Sequence, residues 1–78
     1  MDYVNEVSVS PDAVATAEGR EKVAEELKRS ILASVRAVEG DDMEFHREPM
    51  FSIEGHPTDD ALMVAVLHAT LVHRPTTY

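Results

Sequence analysis

The chain contains no cysteine and no tryptophan, and glutamine is absent as well. Without thiols there is no disulfide and no thiolate metal site, two of the devices by which very small domains compensate for a small core. Aromatic residues make up only 5% of the sequence and glycine occurs three times, with no spacing that would form a phosphate-cradling loop. Basic residues are scarce: seven Lys plus Arg against fifteen Asp plus Glu give a formal net charge of -8. Such a chain repels phosphate backbones and anionic lipid, which argues against direct nucleic-acid binding. No run approaches the roughly 20 consecutive apolar residues that a membrane helix requires. The N-terminal Met1-Asp2-Tyr3-Val4 lacks the basic start and apolar centre of a signal peptide. These absences lead to the expectation of a soluble, cytoplasmic protein with neither nucleic acid nor membrane as a partner.

What remains is one domain spanning residues 1–78, with residues 73–78 expected to form a flexible tail from which Tyr78 alternatively docks on a neighbouring subunit. A chain of this size buries only roughly 60 to 65% of the surface its unfolded form exposes. With disulfides excluded, oligomerisation becomes the leading way to bury more. Arginine outnumbers lysine and alanine and valine are abundant, a usage suited to GC-rich codons and hence to a bacterial or phage source.

The strongest pattern lies in the second half. Met43 to Glu54 alternates apolar and polar residues, Leu62 to His73 is apolar on both alternating faces, and the polar segment from Gly55 to Ala61 separates them. This predicts a long hairpin whose second strand is oily on both sides and so needs two covers. The rival reading makes Thr58 to His73 a second helix, with Thr58 as its cap and Asp59 and Asp60 in its first turn. The β-branched residues Val64, Val66, Thr70 and Val72 favour the strand.

Upstream, Tyr3, Val7 and Val9 alternate with Glu6 and Ser8, the mark of a half-buried strand that Ser10-Pro11-Asp12 ends. A single turn is expected through Val14. A helix should then start at Thr16 as cap and end at Gly40. Val23, Leu27, Ile31, Val35 and Val38 define its buried stripe, Ser34 lies in the same sector, and Leu32 is left on the solvated face. On that face Glu18 with Lys22 and Glu25 with Arg29 are spaced as ion pairs.

If Glu54 faces Leu62, then Ile53 meets Met63, Phe51 meets Ala65, Pro49 meets Leu67, Arg47 meets Ala69 and Phe45 meets Leu71. Pro49 cannot donate to a ladder, which places the first hairpin strand at the sheet edge or puts a bulge there. The second hairpin strand is then central, flanked by the N-terminal strand. The expected class is α+β, in the order β-α-β-β, with one helix on a three-stranded, mostly antiparallel sheet.

Few residues suggest chemistry. Met50, Leu62, Val64, Val66 and Val72 form an apolar patch on the face away from the helix, a candidate interface through stacked or edge-joined sheets. All four histidines lie in the hairpin half. The same register sets Glu48 against His68 with His46 two residues away, a candidate set of ligands for a metal site. No serine lies in a nucleophile elbow and no cofactor motif is present, so the expectation is neither an enzyme nor a cofactor protein.

The order strand, helix, long hairpin in under 80 residues resembles the small β-α-β-β proteins that assemble into shells, such as the dodecin flavin-storage family. That resemblance implies oligomeric assembly. The tryptophan and glutamine with which those proteins hold their flavin have no counterpart in this chain, so flavin binding is not implied. The reading is therefore a small acidic protein that forms a homodimer or higher oligomer and acts by binding another, unidentified protein. Two alternatives stand beside it: a carrier of a small ligand or metal on the His46, Glu48 and His68 face, and an acidic inhibitor of a basic host protein.

Overall fold

The computed structural model describes residues 1–75. The order is β1 (Asp2–Val9), a 3-10 turn (Pro11–Val14), α1 (Ala17–Glu39), β2 (Met43–Phe45), β3 (Met50–Gly55) and β4 (Met63–His73). The class is α+β, with one helix on an antiparallel sheet of four strands. The segment from residue 63 to 73 is a strand, not a second helix. The proposed docking of Tyr78 lies outside the described residues.

β4 is the centre of the sheet. β1 pairs with it along one side, from Asp2↔Thr70 to Val9↔Met63. β2 and β3 follow one another along the other side. The first hairpin strand anticipated from sequence is thus divided in two, and the sheet has four strands instead of three.

The division is a bulge at the expected proline. β2 keeps the register expected from sequence, with Phe45 opposite Leu71, and the His46 N–H donates to the Thr70 carbonyl at 2.8 Å. β3 is displaced: Phe51 meets Leu67 and Ile53 meets Ala65, where Ala65 and Met63 were expected. Between the contacts His46 to Thr70 and Met50↔His68 the edge strand advances four residues and β4 two, so two residues are extra. An insertion of two preserves the side-chain alternation, whereas one would have turned every later residue to the other face. Phe45 and Phe51 consequently both pack against the same core.

That core lies between the odd-numbered face of β4 and α1. Met43, Ala65, Leu67, Ala69 and Leu71 are buried beneath Leu27, Ile31 and Val35 of the helix. Thr16 caps α1 as expected, its hydroxyl accepting the Gly19 N–H at 3.0 Å. Gly19 itself sits against the 3-10 turn so closely that a β-carbon there would run into the Ala13 carbonyl. At the far end Gly40 has φ 117° and ψ 163°, a positive-φ region almost confined to glycine, though not the left-handed helical cap expected from sequence.

The helix is rolled relative to the predicted stripe. Leu32, expected in solvent, is half-buried and packs on the core, whereas Val38, expected inside, is 81% exposed. Leu32 stands one turn beyond Lys28, whose ammonium reaches Glu48 between β2 and β3. Val38 and Ser34 fall on the opposite flank, above β1. Ser34, predicted inside the stripe, is exposed. The expected ion pair Glu18 with Lys22 forms at 3.8 Å, but Glu25 pairs with Lys28 at 3.5 Å instead of with Arg29.

Candidate functional site

No helix is long and apolar enough to cross a membrane among the described residues. The best candidate site is the face of the sheet that α1 leaves uncovered, built from the even-numbered residues of the three long strands. The two registers define its rows. Ser8, Val64 and Glu54 form one, Glu6, Val66 and Ser52 the next, and Val4, His68 and Met50 the third. Asp2 and Thr70 begin a fourth, which the bulge completes with Arg47.

Each row places a β4 residue between two neighbours, and this decides how much of the central strand remains accessible. Val66 is only 5% exposed although no helix covers it, because Glu6, Ser52, Val64 and His68 stand around it. Leu62, Val64 and Val72 are half-buried. Met50 is 76% exposed and Val4 59%, and the exposed His68 lies between them. The accessible apolar surface is therefore narrower than the patch read from sequence and sits toward one end of the sheet. Val4 belongs to it but was missed, although its even position aligns it with Glu6 and Ser8.

The fourth row is a hydrogen-bonded chain. The Thr70 hydroxyl donates to Asp2 Oδ1 at 2.7 Å, and the Arg47 guanidinium donates to Thr70 Oγ1 at 3.5 Å. Arg47 was expected on the helix side opposite Ala69; the bulge turns it toward the uncovered face. Glu48 is drawn the other way, accepting from Lys28 Nζ on α1 at 2.9 Å. The hydrogen bond from Lys28 to Glu48, reinforced by the nearby carboxylates, holds the ammonium pKa above its ordinary value of 10.5 against the opposing effect of burial.

This rearrangement separates the candidate metal ligands. The cross-strand partner of His68 is Met50, not Glu48, and the Glu48 carboxylate is engaged by Lys28. His46 occupies the start of the bulge with an exposed side chain. Among the described residues no group of three His, Asp or Glu side chains is arranged to hold a metal ion. The remaining histidines have structural partners. His56 Nδ1 accepts the N–H groups of Thr58 and Asp59 at 3.2 and 3.0 Å, which closes the β3–β4 turn. His73 Nδ1 lies 3.0 Å from Asp42 Oδ2, and this hydrogen bond holds the Asp42 carboxyl below its ordinary value of 3.8.

Charge frames the face. Asp2, Glu6 and Glu54 occupy outer positions of its rows, as the exposed Val4 and Met50 do, so the apolar pair stands within a mainly acidic border with Arg47 at one corner. No protein-family model, curated protein or solved structure matches the chain.

Proposed function

We propose that the chain is a small, non-catalytic, acidic binding module that forms homo-oligomers and docks another protein on the uncovered face of its sheet. The observation that carries this reading is the pair of exposed apolar side chains, Met50 and Val4, on either side of His68. Apolar groups collected on a rigid sheet and ringed by polar residues fit the anatomy of a docking surface, with a desolvated centre and a hydrated rim. The acidic rim selects a partner whose own contact surface is apolar at the centre and rich in Lys or Arg around it. Stacking this face on a second copy would instead bring Asp2, Glu6 and Glu54 toward their counterparts.

The test is capture of partners from lysate by immobilised wild type and by Met50→Glu, each at low and high salt. Met50 is so exposed that the substitution leaves folding intact. The reading expects a basic protein retained by wild type at low salt, released by high salt as screening shortens the range of the charges, and depleted at least tenfold on Met50→Glu. Equal retention by the variant would overturn it.

A further inference from the structure

Among the described residues the outer edge of β1 has no strand paired to it. Met1 and Leu71 exchange both backbone hydrogen bonds, at 2.9 and 3.0 Å. In an antiparallel ladder such exchanging pairs alternate with non-exchanging ones. The odd-numbered residues of β1 therefore direct their N–H and C=O groups to β4, and Asp2, Val4, Glu6 and Ser8 direct theirs outward. The opposite edge of the sheet is interrupted by the two-residue bulge and by Pro49, devices that discourage further pairing. β1 runs for eight residues without a proline, a bulge or a lysine. Beside it α1 leaves a groove of ≈ 450 Å³ lined in part by Tyr3, Ser34 and the exposed Val38.

We propose that β1 pairs with β1 of a second copy, antiparallel about a two-fold axis at Asn5, to form one continuous sheet across the dimer. The register follows from hydrogen-bond parity and charge. Only even-numbered residues have outward backbone groups, so even must pair with even, which keeps both helices on one face. Centring the axis on Glu6 would oppose two Glu6 side chains, and centring it on Val4 would set Glu6 against Asp2; like charges directly opposed are destabilising. With the axis at Asn5, Glu6 meets Val4, Asp2 meets Ser8, and Tyr3 covers Val7, which is 42% exposed in the single chain. That register also pairs the whole of β1. A two-fold contact uses each open edge once and leaves only the two bulged, proline-bearing edges outermost, so assembly closes at the dimer. The contact extends the proposed homo-oligomerisation by assigning its surface; it shares Val4 with the docking face and leaves Met50, on the other side of β4, untouched.

At the axis the two Asn5 residues form a non-exchanging pair, whose Cα atoms lie about 4.5 Å apart in such ladders, inside the range that a disulfide spans. The chain has no cysteine of its own, so Asn5→Cys introduces the only thiol. Under mild oxidation it is expected to shift on a non-reducing gel to a band of twice the mass, while Ser52→Cys on the far edge stays monomeric. The shift should persist when Met50→Glu is added, which separates this contact from the docking face. Glu6→Pro removes an outward N–H that the protomer does not use, and should halve the mass measured by light scattering while circular dichroism stays unchanged. Failure of folded Asn5→Cys to crosslink, equal crosslinking of Ser52→Cys, or an unchanged mass for Glu6→Pro would overturn the proposal.

Discussion

Leu67→Ala is expected to lower the stability of the fold by about 3 kcal/mol, within the ~2–5 kcal/mol that such truncations cost in packed cores. Leu67 is fully buried at the middle of β4, in the cluster formed with Leu27, Ile31 and Val35. Its neighbours along the strand on the same face, Ala65 and Ala69, are small and buried, and neither can extend to fill the space. A domain of this length holds only about 4–12 kcal/mol in total, at ~0.05–0.15 kcal/mol per residue. The substitution therefore removes a large share. Urea denaturation followed by circular dichroism measures it through the midpoint, with the slope unchanged if only stability is affected. A loss below about 1 kcal/mol would mean that the β4–α1 core is looser than its burial implies.

Val66→Asp should be more damaging, although Val66 faces away from the helix. At 5% exposure in the central strand, an aspartate would sit desolvated with Glu6 as a cross-strand neighbour and no cation opposite it. Burying an unpaired charge costs several kcal/mol unless the group takes up a proton. The expected product is unfolded or insoluble protein. Met50→Glu, in the next row of the same face, is expected to remain folded and soluble, because Met50 is 76% exposed. Soluble yield and thermal melting of the two variants give the comparison. A well-folded Val66→Asp would contradict the burial assigned to the middle of the open face. Sequence alone groups Val66 with Met50 as one patch; the structure divides them into a buried residue and an exposed one.

That difference illustrates what was legible before the fold was known. Element types were, because periods of two and of about four residues are written directly in the apolar positions, and Thr16, Gly40 and Pro11 mark boundaries chemically. β4 could be placed centrally from its two oily faces, and Pro49 signalled an edge or a bulge. The size of the bulge was not legible. An insertion of two leaves the alternation intact, so the apolar pattern reads alike with or without it. The lost candidate metal cluster follows from the same insertion, since it moves Met50 opposite His68 and hands Glu48 to Lys28.

The roll of α1 was hidden for a different reason. Leu27, Ile31 and Val35 are buried as their spacing implies, and whether Leu32 or Val38 joins them depends on how α1 sits across the sheet, which is a property of the sheet. The burial of Val66 likewise depends on strand order, since only a central position surrounds a valine with neighbours on both sides.

β4 is the hydrogen-bonded centre of the sheet, and β1 is the edge that we propose a second copy closes. Residue-resolved amide hydrogen exchange across a range of protein concentrations tests both at once. The account predicts slow exchange throughout residues 64 to 72 at every concentration. It also predicts that the outward amides of Val4, Glu6 and Ser8 are as protected as those of Asn5 and Val7 when concentrated, and lose that protection on dilution. Rapid exchange within residues 64 to 72, or outward β1 amides that exchange freely at all concentrations beside protected inward ones, would contradict it.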